Sequence, residues 1–214
     1  MMSKIYGVPV WVTGLFLVVG VGMVIIGGIR RIGQVTSKIV PVMCLLYIGG
    51  ALVTLFINAS EIPGVFRDIF SEALTLKAGI GGFLGTMLIG VKRAAFSNEA
   101  GLGSAAIAHS TARTDEPVRE GLVAMLGPFI DTIVVCTTTA LVILVSGITG
   151  EQSEGVNLTV AAFNQGIPGF GSLVVASAVV LFAFSTAISW SYYGEKGIEY
   201  LFGSRMVMPY KVVF

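Results

Sequence analysis

From Gly7 to Gly28 the sequence runs without a single charged residue. A helix needs about 20 apolar residues to cross a hydrocarbon core about 30 Å thick. In lipid the backbone must also satisfy its own polar groups, which a helix does within one segment. The same pattern recurs along the chain. It predicts spans at 7–28, 39–59, 78–112, 121–147 and 169–193, and so an all-α, multi-pass membrane protein in a single transmembrane domain. Hydrophobic residues make up 55% and charged residues 12%, where a soluble domain carries about 25% charged. Mean hydropathy is +0.90, and the 28 glycines suit helices packed at close range. A net charge of +1 leaves no electrostatic footprint for nucleic acid. Cys44 and Cys136 fall inside apolar runs and read as buried thiols.

The connections differ in charge. One set holds Arg30, Arg31, Lys38, Arg113, Arg119, Lys196, Arg205 and Lys211, the other Lys4, Arg67 and Lys77. The positive-inside rule puts the first set in the cytoplasm, so the first span runs inward and the N-terminus starts outside. No signal-peptide layout accounts for that start. The expectation is therefore a portion of a longer protein, with an odd number of helices upstream and the final segment cut early in a sixth span. Glu61–Lys77 is amphipathic and too charged to span.

Residues 78–112 carry the chemistry. Lys92, Arg93, Asn98 and Glu99 lie near the centre of this apolar stretch, where a charge costs roughly 2.5–3.5 kcal/mol on insertion scales. Between them and the next apolar residues runs Phe96-Ser97-Asn98-Glu99-Ala100-Gly101-Leu102-Gly103-Ser104, rich in poor helix formers. The reading is a discontinuous helix broken near 97–103. Its freed carbonyls suit Na⁺ and its freed N–H groups suit a carboxylate. The same residues also suit tight helix packing.

Asp131 lies inside the fourth span, either as a functional acid or as the partner of a threonine, Lys92 or Arg93. Thr186 and Trp190 are four apart and share a helix face, while Ser185, Thr186 and Ser189 offer oxygens to a hard cation or to neighbouring helices. No Walker lysine follows Gly101-Leu102-Gly103-Ser104. Ser104 and the only histidine, His109, are five apart and point in different directions on a helix. His109 reads as a surface or interhelical residue, and nothing here reads as an enzyme.

The stretch Gly90-Val91-Lys92-Arg93-Ala94-Ala95-Phe96-Ser97-Asn98-Glu99-Ala100-Gly101-Leu102-Gly103-Ser104-Ala105-Ala106-Ile107-Ala108-His109 closely resembles the signature of the sodium:alanine symporter family, the alanine or glycine:cation symporters. Further resemblance lies at Gly27–Gly33, Pro117–Leu122, Phe129–Thr132, Ala162–Gly166 and Trp190–Lys196. It implies a partial leucine-transporter-like fold of inverted repeats, with this chain supplying helices four to eight, the start of nine and a discontinuous helix six. Helices one to three are the missing partners. It also implies symport of a small neutral amino acid, alanine or glycine, in the cytoplasmic (inner, or plasma) membrane, with Na⁺ as coupling ion and no organic cofactor. Carried over, Phe96, Ser97, Asn98, Gly101, Thr186 and Trp190 would bind substrate, and Ser185 and Thr186 would ligate Na⁺. The rival expectations are a truncated fragment that transports nothing, and an ion channel using the same polar helix.

Overall fold

A computed structural model of the chain describes residues 7–73, 82–97, 103–148 and 155–214. Every regular element among them is helical. In order these are α1 (Val10–Ile25), α2 (Gly28–Ile57), α3 (Ile62–Ala73), α4 (Phe83–Ser97), α5 (Ala105–His109), α6 (Pro117–Ser146), α7 (Val156–Gly166), α8 (Gly171–Phe202) and α9 (Val207–Val213). Three of these, α2, α6 and α8, are long and apolar enough to cross a membrane, while α1 and Phe83–Lys92 are shorter apolar helices. Residues 78–81 and 98–102 of the expected third span lie outside the described residues.

The chain forms two compact units. The first takes residues 1–50 and 168–214. Its α1 ends in a tight turn at Gly28, whose φ of +67° is one that glycine adopts without strain. α2 then starts at once, so Arg30, Arg31 and Lys38 stand on its early turns rather than in the polar connection expected for them. Charge suggested a loop there. A helix that begins beyond the apolar zone carries charge just as well, and at 30 residues α2 is about 45 Å long, more than one crossing needs.

Pro41 therefore lies inside α2 instead of near its first turn. It deprives the Ser37 carbonyl of a donor. Nearby hydroxyls supply extra bonds to this backbone: Thr36 Oγ1 donates to the Ile32 carbonyl at 2.9 Å and Ser37 Oγ to that of Gln34 at 3.0 Å. The core of the unit joins Val24 and Ile25 of α1 to Ile32, Met43 and Tyr47 of α2 and to Val175, Ala178 and Ile188 of α8. Tyr47 stands edge-on to Phe182 with ring centroids 6.1 Å apart.

The second unit takes residues 51–167. Here α7 folds back along the C-terminal part of α6, and α3 touches that same part. Val142, Ala162 and Phe163 are fully buried, with Ala51 and Thr54 from the last turns of α2. Gly166 meets Thr54 so closely that a Cβ on Gly166 would overlap the threonine side chain. α6 is not uniform. Residues Phe129–Cys136 wind as a π-helix, one residue wider per bonded ring than α. Where the π stretch returns to α, the Thr138 hydroxyl bonds the Val134 carbonyl and the Thr139 hydroxyl bonds that of Val135. Cys136 is exposed, contrary to its reading as a buried thiol, because the π stretch belongs to a helix with little packed against it; Cys44 is half-buried.

Candidate functional site

The long helix α8 carries the described part of the expected site. Three of its residues follow from helical spacing. Thr186 and Trp190 lie one turn apart on one open face, and Trp190 is 45% exposed. Its indole is not loose, since Tyr193 meets it edge-on at 5.9 Å between centroids. Ser185 points about 100° away and is buried. Its hydroxyl donates to the Phe182 carbonyl at 3.0 Å and touches the Met43 sulfur at 3.9 Å. Donating its one proton leaves the oxygen lone pairs available to accept a bond or ligate a cation.

The other expected residues belong to the broken stretch. α4 closes at Ser97, with Phe96 just before it, and the chain is described again from Gly103, whose φ is +74°. Asn98 and Gly101 lie outside the described residues, as does Glu99. Thr186 and Trp190 are thus brought together, and Ser185 is set on an adjoining, buried face.

Charge pairs gather at the helix ends. Lys211 of α9 reaches Glu195 of α8 at 2.9 Å, with only 8% and 15% of the side chains exposed. Tyr210 presses its hydroxyl against Gly194. Lys196 pairs with Glu199 at 2.7 Å and lies over the Tyr192 ring at 5.6 Å. Sequence reading missed the Glu195–Lys211 pair, because its partners are sixteen positions apart across a turn and no helical spacing connects them. It also placed Lys211 only as one of the basic residues of the cytoplasmic set. In the second unit, His109 Nδ1 and the Glu120 carboxylate stand 2.6 Å apart, which makes the histidine an interhelical contact between α5 and α6.

A cavity of about 430 Å³ in the first unit lies among Leu17, Val21 and Ile25 of α1, Ala187 of α8, and Met208 and Lys211 of α9. It is apolar except at the lysine, and Ala187 adjoins Thr186. Among the described residues no group of three His, Cys, Asp or Glu could hold a metal ion. The donors present are hydroxyls, carbonyls and single carboxylates, a set suited to hard cations such as Na⁺.

Comparison with known proteins identifies the family. The model of the sodium:alanine symporter family matches residues 1–214. The sodium/alanine symporter AgcS of Methanococcus maripaludis is 46% identical over 98% of this chain and 47% of its own length. The probable sodium/glutamine symporter GlnT of Bacillus subtilis is 39% identical over 93% of this chain and 42% of its own. A sodium/proton-dependent alanine carrier protein of Bacillus sp. strain PS3 is 35% identical over 95% and 49%. The chain spans about half the length of the curated relatives it matches.

Proposed function

The chain belongs to the sodium:alanine symporter family, a family of transporters and not of enzymes, and we propose that it forms part of a carrier that moves a small neutral amino acid, alanine first, across the cytoplasmic membrane together with Na⁺. The observation that carries this reading is the open face of α8. A hydroxyl and a restrained indole stand one turn apart on a helix otherwise apolar enough to span a bilayer. The names of relatives supply the substrate class, alanine in AgcS and the PS3 carrier and glutamine in GlnT.

On this reading the fold is leucine-transporter-like, with α1, α2, α6 and α8 as its fourth, fifth, seventh and eighth helices. α4 and α5 flank the break in its sixth, and α9 starts its ninth. α3 and α7 belong to connections. Phe96, Ser97, Asn98 and Gly101 line the substrate site from the broken helix, and Thr186 and Trp190 close it from α8. Ser185 and Thr186 give Na⁺ their hydroxyl oxygens. Substrate carboxylate meets the freed N–H groups beside the cation, and the indole limits side-chain volume. Helices one to three of the longer protein supply the remaining contacts.

Each ligand then favours the state that binds the other, which is what coupling requires. The test is uptake of labelled alanine into liposomes by this chain and by a version completed with the remaining sequence of AgcS. The reading expects saturable uptake by the completed carrier that depends on an inward Na⁺ gradient. Uptake that ignores the gradient, or conduction that does not saturate, would sink it.

A further inference from the structure

The cavity of the first unit has no task in the reading above. Its α1 wall is two adjacent stripes of residues four apart, running from Leu17 to Ile26, and α9 faces it with Met208 and Val212. From Leu17 to Ile26 is about 13 Å along the helix axis, close to half of a hydrocarbon core about 30 Å thick. The cavity is therefore about as long as one leaflet is deep. Ile26, Met208 and Val212 are each more than half exposed, so it is open along its side. Gly22 forms part of the wall, and a Cβ added there would meet nothing within 4 Å.

One end of the cavity adjoins charge that the unit does not balance. Ile26 leads directly into the turn at Gly27 and Gly28 and on to Arg30 and Arg31, both exposed. A Cβ on Gly27 would overlap the stem of Arg31, so that side chain lies back over the turn, against the end of α1. Among the described residues of the unit the acidic side chains are Glu195 and Glu199, and both are engaged, by Lys211 and Lys196. Lys211 lines the cavity, but Glu195 cancels its charge. The ion pairs of the described residues include neither Arg30 nor Arg31. Their counter-charge comes from outside the unit.

We propose that the cavity and the turn bearing Arg30 and Arg31 form a site for an anionic phospholipid of the cytoplasmic leaflet, with an acyl chain in the cavity and the phosphate on the two guanidiniums. Two features in register select this occupant, an apolar cavity one leaflet deep and a pair of cations at its interfacial end. Guanidinium groups bind phosphate through parallel N–H donors. Basic residues at the cytoplasmic edge of membrane helices attract anionic headgroups, and the positive-inside rule puts this end of α1 at that edge. An apolar protein helix laid in the cavity would offer the cations nothing. The inference requires that the chain lie in a membrane and is independent of what it transports.

The test is binding of phosphatidylglycerol and of phosphatidylcholine with identical acyl chains to the purified chain in neutral detergent, counted by native mass spectrometry. Phosphatidylglycerol is expected to bind about tenfold tighter or more, the scale of two basic residues near anionic headgroups. Arg30→Gln with Arg31→Gln should reduce it to the level of phosphatidylcholine. Glutamine is a good helix former and both positions are exposed, so the fold should be kept. Lys38→Gln removes a cation about 10 Å further along α2 and should leave the preference intact. Gly22→Leu fills the cavity while raising helix propensity, and should weaken the binding of both lipids. A preference that survives the loss of both arginines, or that Lys38→Gln abolishes as well, overturns the site. Equal binding of the two lipids by the parent chain overturns it too, as does unchanged affinity in Gly22→Leu, which would put the lipid elsewhere. Binding of neither lipid also overturns it and leaves the cavity to an apolar helix. Failure of the uptake test would leave these outcomes untouched.

Discussion

Trp190 is the side chain on which the specificity argument turns. It sits one helical turn from Thr186, and Tyr193 fixes its ring plane. Truncation in the completed carrier, Trp190→Ala, removes a large contact worth about 1.5 kcal/mol or more. Initial-rate uptake should show the apparent KM for alanine rising about tenfold while larger neutral amino acids such as glutamine gain entry; an unchanged substrate range would remove the residue from the site. Lys211 and Glu195 make a second argument at this scale. Both are mostly buried at 2.9 Å, so losing one partner leaves the other charged and uncompensated. Glu195→Gln alone should lower stability by about 3 kcal/mol in detergent melts, and Glu195→Gln with Lys211→Met should regain most of it. If the double variant is no more stable than the single one, the pair is not what holds α9 to α8.

Among the elements, α7 meets the last turns of α2 with no room for a side chain at Gly166. A methyl group on Gly166 has no room against Thr54, which is 1% exposed. Gly166→Ala should cost about 1–3 kcal/mol, and Thr54→Ala in the same chain should recover part of that loss in thermal melts. Equal stability of Gly166→Ala and the parent would mean that α7 can back away freely. The elements also differ in how far their residues announce them. α8 was legible, because an unbroken apolar run with small residues admits little but a helix. α2 was misread at its start, since Arg30, Arg31 and Lys38 look like a loop whether a helix begins before or after them. The π stretch of α6 left no mark, because Phe129–Cys136 has ordinary helix-compatible residues and register depends on bonds, not on composition. His109 was read as a surface or interhelical residue, but its partner Glu120 was not foreseen, since the contact depends on how α5 meets α6.

For the whole molecule, charge distribution makes a prediction about sidedness. α6 carries Arg119 in its first turn and follows a connection holding Arg113, and it leads to a connection holding Glu151 and Glu154. If it is one crossing, its two ends face opposite compartments. Single-cysteine variants at Thr114 and Val156, with Cys44 and Cys136 replaced by Ala, should react oppositely with an impermeant thiol reagent. In right-side-out vesicles the label should reach position 156 and not 114, and labelling of both would show that α6 does not span. The sequence by itself determined that the chain is helical and apolar enough for a bilayer, because hydropathy over 20-residue windows is a local sum that no neighbour changes. It also determined that Thr186 and Trp190 share a face, because helical spacing is local too. Only the tertiary structure decided that Ser185 is buried against Met43, that Lys211 closes on Glu195 and that Gly166 must stay bare beside Thr54. These are contacts between helices distant in sequence, set by how side chains from separate elements fill one space, and no period within a single helix records them.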